Sequence, residues 1–141
     1  MKSLLLHIAA RALSWPFLIL SLWILYRGHN LPGGGFIGGL MASTGFILHD
    51  LSGHGRPQRG FFATSPFVFL TLGLGLAVLS TLPGMLGDGV FMQGLWLPGF
   101  ELPLLGSVHL GTPLVFDIGV YFTVIGFLLL LAGTLAKEEP S

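Results

Sequence analysis

Asp117 is the ionisable residue best placed for chemistry, because it lies inside an apolar run, four residues after Pro113. A carboxylate within a membrane is costly, and such residues mark ion or proton pathways. His109, Thr112 and Tyr121 are close enough in sequence to be its hydrogen-bond partners. In the alternative interpretation, Asp117 lies only about 6 Å from the start of a helix, where the helix dipole and water stabilise it without a role in transport. Both interpretations stay open at this point.

Asp50 is a second candidate for ion chemistry, because it closes another apolar run directly after His49. The negative end of a helix dipole lies at the C-terminus, where a histidine is favoured and an aspartate is not. An acid in that position is a candidate access point for an ion or a proton. We therefore group Asp50 with Asp117, His109 and Tyr121 as residues of a predicted ion path.

The composition around these residues is that of a membrane protein. Of the 141 residues, 52% are hydrophobic and 9% are Asp, Glu, Lys or Arg, whereas a soluble domain has about 25% charged residues. The formal net charge of zero leaves no field to attract nucleic acid, so no nucleic-acid partner is expected. The sequence has no cysteine, and its histidines do not pair at matching depths within spans, so we expect no cofactor, no metal site and no enzyme activity.

Four apolar stretches have the length needed to cross a hydrocarbon core of about 30 Å, which takes about 20 helical residues. They cover roughly residues 4–26, 32–51, 66–86 and 113–135. The sequence therefore predicts an all-α integral membrane protein with four transmembrane helices in the bilayer. The segment 87–111 is the predicted outer loop, and residues 1–141 are expected to form a single membrane domain.

The basic residues predict the orientation of these helices. An even number of spans puts both termini and the loop after residue 52 on one side. That side holds five basic residues and the other holds Arg27; the five are Lys2, Arg11, Arg56, Arg59 and Lys137. Since basic residues are enriched on the cytoplasmic side, both termini are predicted to be cytoplasmic. A cleavable signal peptide is the alternative for the N-terminus, although His7 and Arg11 interrupt its apolar region.

Three of the predicted helices begin beside a proline that has a polar side chain close before it. The pairs are Asn30 with Pro32, Ser65 with Pro66, and Thr112 with Pro113. A proline in the first turn loses no hydrogen bond, and a side-chain oxygen nearby can accept one from an unsatisfied backbone N–H group. The sequence thus predicts helix starts that are capped by side chains.

Small residues follow Pro32 at a spacing of four. The stripe pairs Gly34 with Gly38 and Gly35 with Gly39, and continues to Ala42 and Ser43. Such a stripe lets another helix approach closely and gain dispersion contacts in lipid. Together with Gly33, the first glycines also permit an unwound helix start that could line water. A nucleotide site is not expected, because the glycines at 33–38 lack the strand of a dinucleotide-binding unit.

A second small-residue stripe runs along the last predicted helix. Gly119, Gly126 and Gly133 recur at intervals of seven, which places them along one face. The stripe predicts close helix contacts, either within this chain or with another membrane protein.

Two motifs lie far apart in the sequence. The first is the run GHNLPGGGFIGGLM at 28–41, which contains Asn30, Pro32 and Phe36; the second is GTPLVFDIGVY at 111–121, which contains Pro113 and Asp117. In this order and with four spans, they closely resemble the MnhB-type subunits of the Mrp-type (Mnh, Pha) multisubunit sodium/proton antiporters. The same domain is also similar to parts of related membrane-bound hydrogenase complexes.

The resemblance implies a small subunit of a hetero-oligomeric complex in the cytoplasmic membrane of a bacterium or archaeon. Its implied partners are the other membrane subunits of that complex. The implied activity is the exchange of internal Na⁺, Li⁺ or K⁺ for external protons, with Asp117 as the acid of the second motif.

The residues themselves limit the role of this chain, since no lysine or glutamate lies near the middle of a predicted span. A proton relay needs such groups, so we expect an accessory subunit that packs against larger subunits. Asp117 or the turn at 32–39 would line part of the ion path. The alternatives are an ion-translocating subunit of a membrane-bound hydrogenase or other redox complex, and a small channel that assembles from copies of this chain.

Overall fold

The structure, a computed structural model, describes residues 4–28, 33–52, 64–86, 95, 98, 100–102, 106–108 and 111–138. Its helices are α1 (Leu4–Arg27), α2 (Gly34–Leu51), α3 (Pro66–Leu86) and α4 (Thr112–Glu138). Each helix begins and ends close to a stretch that the apolar pattern predicts. The largest difference is at the end of α4, which reaches Glu138 rather than residue 135. The helical fold class is confirmed.

A short β-hairpin between α3 and α4 is absent from the sequence-based prediction. Strand β1 (Phe100–Leu102) pairs antiparallel with strand β2 (Gly106–Val108), and Phe100 lies opposite Val108. Strands of three residues are too short for an alternating hydrophobic pattern to be recognised, which explains the omission. Most of the predicted outer loop, 87–111, lies outside the described residues.

The start of α2 depends on the backbone of Gly33 rather than on a side-chain cap. Gly33 has φ 95° and ψ 7°, a left-handed conformation that glycine adopts at little steric cost. Its carbonyl accepts a hydrogen bond from the N–H group of Ile37 at 3.0 Å, and no side chain caps the helix. The predicted start at Pro32 is therefore two residues early. Pro32 and the predicted cap Asn30 lie outside the described residues.

The start of α4 is tied to the segment before it. The backbone N–H group of Thr112 donates to the carbonyl of Leu95 at 3.0 Å. The N–H group of Leu95 in turn donates to the hydroxyl oxygen of Thr112, also at 3.0 Å. This hydroxyl therefore holds the outer segment, whereas the sequence predicted that it would cap the first turn. The first turn closes through a bond from the N–H group of Leu114 to the carbonyl of Gly111 at 3.1 Å.

Helix α2 lies at the centre of the bundle. It packs against α1 on one side and against α4 on the other, while α3 packs against the far side of α4. The order across the bundle is therefore α1, α2, α4, α3. Helix α1 buries a narrow face of mostly small residues at spacings of four, four and three: Ala10, Ser14, Leu18 and Ser21.

The hydrophobic core lies between α2, α3 and α4. Its fully buried members include Ala42 and Ile125, both with 0% exposure. Aromatic rings connect the three helices in sequence: Phe46 contacts Phe69 edge to face at 5.8 Å between ring centroids, and Phe69 stacks on Phe122 at 6.0 Å. Such ring pairs add specific geometry to apolar packing, so they help to set the rotation of each helix.

Three helices, α1, α3 and α4, are long and apolar enough to cross a membrane. Helix α2 is not among them, since its 18 residues include five glycines as well as His49 and Asp50. Only 22%, 22% and 28% of the apolar windows of α1, α3 and α4 are buried within the chain. Most of their apolar surface therefore remains for lipid or for other membrane proteins.

Candidate functional site

The glycines of α2 form two faces, one towards α1 and one towards α4. On the α1 side, a Cβ atom added to Gly38 would lie 3.0 Å from the carbonyl oxygen of Ser21, and one added to Gly45 would lie 3.0 Å from that of Ser14. Gly34 contacts the backbone of Gly28 still more closely. These glycines bring the two backbones together, as expected for small residues in a membrane bundle.

The opposite face of α2 contacts α4 through Gly35 and Gly39. A Cβ atom added to Gly39 would lie 2.8 Å from the Cβ atom of Val124 and 3.0 Å from the carbonyl oxygen of Tyr121. Neither position accepts a side chain without a shift of the helix backbone. By contrast, Phe36 points away from both contacts and is 52% exposed.

The two sequence motifs meet where Gly35 contacts Asp117. The atom nearest to an added Cβ at Gly35 would be the carbonyl oxygen of Asp117, so the two backbones touch. Asp117 itself is half-buried. It lies five residues into α4, which is about 7 Å from the start of the helix. The glycine motif thus positions the helix turn that carries the acid.

Tyr121 crosses the bundle to reach α1, one turn after Asp117. Its buried hydroxyl lies 3.0 Å from the hydroxyl of Ser21. Because the Ser21 hydroxyl donates to the carbonyl of Leu18 at 2.6 Å, Tyr121 is the donor in this pair. Gly38 leaves the space for the ring, since an added Cβ would be 3.3 Å from the Cδ2 atom of Tyr121. The sequence predicted Tyr121 as a partner of Asp117; the structure places its hydroxyl on Ser21.

Ser21 is the member of this site that the sequence-based prediction missed. The signal that could have found it is the spacing of small residues in α1, where Ala10, Ser14 and Ser21 share one face. Interhelical hydrogen bonds from serine are a common contact in membrane bundles. A stripe that contains serines as well as alanine is a weaker pattern than the glycine repeats of α2 and α4, which explains the omission.

We predict that the Tyr121 hydroxyl stabilises the bundle through Ser21. In a double-mutant cycle of Tyr121→Phe and Ser21→Ala, the coupling free energy is expected to be about 0.6 kcal/mol and at most about 1.7 kcal/mol, the range of side-chain hydrogen bonds in membrane proteins. The measurement is the free energy of unfolding in mixed micelles. Strictly additive effects of the two substitutions would contradict this pairing.

Two of the three glycines in the stripe of α4 contact α3 of the same chain. A Cβ atom added to Gly119 would lie 2.6 Å from the backbone nitrogen of Ala77, and one added to Gly126 would lie 2.7 Å from that of Leu70. Gly133 differs, because an added Cβ atom would meet nothing within 4 Å. The regular spacing of seven therefore does not correspond to a single helix contact.

Asp50 and Asp117 do not form one site. Asp50 is exposed at the end of α2, fifteen residues after Gly35, which places it about 22 Å along the helix axis from the Asp117 contact. The acids thus lie near opposite ends of the bundle. Pro113 is half-buried in the first turn of α4, whereas His109 lies outside the described residues.

Apolar helices joined by glycine contacts, with their acids towards the helix ends in the described part of the chain, define a multi-pass membrane protein of the kind that works within a larger assembly. A family described as "Domain related to MnhB subunit of Na+/H+ antiporter" matches residues 5–130. The chain belongs to this MnhB family, which confirms the resemblance carried by its two motifs. The family's namesake is a subunit of a secondary transporter and not an enzyme.

Curated relatives match nearly the whole chain. It is 36% identical over 142 residues to the B subunit of the Na⁺/H⁺ antiporter of Alkalihalophilus pseudofirmus, a match that covers 98% of this chain and 95% of that protein. It is 33% identical over 138 residues to the B subunit of the Na⁺/H⁺ antiporter of Bacillus subtilis, with coverage of 98% and 96%.

Two longer proteins contain a region similar to this chain. The probable K⁺/H⁺ antiporter A/B subunit of Rhizobium meliloti is 31% identical, and the match covers 95% of this chain but 14% of that protein. A solved structure of the Mrp complex from Dietzia sp. DQ12-45-1b matches with a TM-score of 0.73 and 32% identity, covering 97% of this chain and 14% of the matched chain. The helical arrangement thus agrees with part of an antiporter complex.

Proposed function

We propose that this chain is an accessory membrane subunit of a multisubunit antiporter that exchanges Na⁺ or another monovalent cation for protons. The observation that carries the proposal is the match of almost the entire chain to antiporter B subunits at 36% and 33% identity. Its similarity to part of an Mrp complex supports the same role. The membrane is the cytoplasmic membrane of a bacterium or archaeon, and the chain forms a single domain within it.

The distribution of charge supports an accessory role rather than independent transport. In the described part of α2 and α4, the acidic residues are Asp50, Asp117 and Glu138, each towards one end of its helix. Helix α3 contains no charged residue. Because no series of titratable groups crosses these helices, the main route for ions lies in the larger subunits.

We place Asp117 on the ion path at the outer end of the bundle, with Tyr121 and His109 near it. The contact of Gly35 with the backbone of Asp117 supports this assignment, since it holds the acid at a defined place between α2 and α4. Asp50 belongs to the opposite, cytoplasmic end. The two acids therefore act at separate points of the path and not as one ion site.

All four helices cross the bilayer in this proposal, with both termini in the cytoplasm. Helix α2 lies between two candidate spans, α1 and α4, and its 18 residues rise about 27 Å. Its glycines contact neighbouring helices, so its low hydropathy does not expose polar surface to lipid. The partner of greatest interest is an A-type subunit, because the Rhizobium meliloti relative carries A and B parts in one chain.

The test is purification of the tagged chain from its native membrane in mild detergent, combined with deletion of its gene. We expect several large multi-spanning antiporter subunits to be recovered with it, and deletion to abolish Na⁺-dependent proton movement in inverted membrane vesicles. Iron–sulfur or nickel proteins, with activity that depends on a reductant, would instead identify a redox complex. Recovery as a discrete homo-oligomer would favour a small channel.

A further inference from the structure

A cavity of about 570 Å³ lies at the end of the bundle where α2 and α4 finish and α3 begins. Its inner wall is apolar and includes Ile47 and Leu129. Gly133 contributes to the wall without a side chain, and an added Cβ there would meet nothing within 4 Å. The volume is within the range of about 300–1,000 Å³ that is usual for small-molecule sites.

The mouth of this cavity carries one charge of each sign. Asp50 comes from α2 and Lys137 from α4, and both side chains are exposed. Between Leu129 and Lys137 the wall follows α4 for eight residues, about 12 Å along its axis. Over this distance the lining changes from apolar to charged.

This change of polarity matches that of a membrane lipid. Each headgroup layer of a bilayer is about 5–7 Å thick, outside a hydrocarbon core of about 30 Å. A cavity at a helix end that is about 12 Å deep therefore reaches from the headgroup layer into the hydrocarbon. Its mouth is neutral overall, with Asp50 and Lys137 of opposite sign, whereas sites for anionic lipids are clusters of basic residues.

We propose that this cavity binds one phospholipid with a zwitterionic headgroup that carries an amine. The headgroup ammonium lies towards Asp50 and the phosphate towards Lys137, and the first part of one acyl chain contacts Ile47 and Leu129. The absence of a side chain at Gly133 keeps the space open for that chain. The inference rests on the membrane location of the bundle and not on the identity of the exchanged cation.

The test compares Gly133→Leu with the matched variant Gly75→Leu in the whole complex. Both glycines lie within helices, and an added Cβ meets nothing within 4 Å at either position, but Gly75 does not line the cavity. The complex is purified into micelles containing phosphatidylethanolamine and phosphatidylglycerol with identical acyl chains. Native mass spectrometry then counts the lipids retained by each complex.

We expect the unsubstituted complex and Gly75→Leu to retain one phosphatidylethanolamine per copy of this chain. Gly133→Leu is expected to weaken its retention by about tenfold, which corresponds to about 1.4 kcal/mol. Lys137→Gln should also weaken it by several-fold, because the phosphate loses its cation. Equal retention in Gly133→Leu, or equal retention of phosphatidylglycerol by the unsubstituted complex, would overturn the proposal.

A second experiment identifies the occupant directly. The chain contains no cysteine, so Gly133→Cys provides a unique attachment point for a short photo-crosslinker. Crosslinking to lipid supports the proposal, whereas crosslinking to a neighbouring protein would show that protein fills the cavity and would overturn it. Neither result depends on antiport activity, so failure of this proposal is distinguishable from failure of the proposed function.

Discussion

Replacement of Gly39 by leucine is expected to remove most of this chain from the membrane complex. A Cβ atom alone would lie 2.8 Å from the Cβ atom of Val124 and 3.0 Å from the carbonyl oxygen of Tyr121. Relief requires α2 to move away from α4, because a backbone carbonyl cannot rotate aside as a flexible side chain can. Overpacking of this kind costs about 1–3 kcal/mol or more. Losses of about 1–2 kcal/mol already change cellular abundance several-fold.

The measurement is the amount of chain in isolated membranes, together with its migration in native gels. Gly75→Leu is the matched control, because it makes the same substitution in α3 where an added Cβ has no neighbour within 4 Å. We expect the control to assemble at normal levels. Normal assembly of Gly39→Leu would show that α2 and α4 are not in contact through this residue in the complex.

Substitution of Asp117 by asparagine is expected to lower Na⁺-dependent proton transport by about tenfold or more while the complex still assembles. Asparagine has nearly the same shape and can accept hydrogen bonds, but it neither carries a charge nor takes up a proton. If Asp117 contributes to the ion path, the loss of charge affects transport directly. A tenfold fall corresponds to about 1.4 kcal/mol in the barrier for transport.

The same variant also tests the purely structural interpretation of Asp117. A carboxylate near a helix N-terminus stabilises the helix by about 0.3–1 kcal/mol through the dipole. On that interpretation, Asp117→Asn lowers the amount of assembled complex and leaves transport per complex unchanged. Asp117→Glu serves as the control, because it keeps the charge and should keep part of the transport. Transport in inverted vesicles, normalised to assembled complex, separates the two outcomes.

The length and position of the helices follow from local features of the sequence. Apolar runs between breaks rich in glycine, proline and charge place α3 at Pro66–Leu86, and the structure has the same bounds. The start of α2 is less predictable, because Pro32 and the following glycines tolerate several backbone paths. The left-handed conformation of Gly33 then places the first residue of α2 at Gly34.

The assignment of each glycine stripe to a neighbouring helix was beyond the reach of the sequence. The stripe of α2 predicts close packing, but the structure divides it between α1, which faces Gly38, and α4, which faces Gly39. In α4 the stripe is used by α3 at Gly119 and Gly126, while Gly133 lines a cavity. In water an apolar stripe identifies the buried face, but helices in lipid are apolar on nearly all sides, so hydropathy does not choose the neighbour.

By itself, the sequence determined that this is a helical membrane protein, where its helices lie, and to which family it belongs, because hydropathy, helix length and short motifs are local properties of the chain. Only the tertiary structure decided which residues meet. It joined Tyr121 to Ser21 across one hundred positions, brought Gly35 to the backbone of Asp117 and separated Asp117 from Asp50. These relations depend on the order and rotation of the packed helices, which are set by close contacts at small residues and by the geometry of interhelical hydrogen bonds and aromatic pairs.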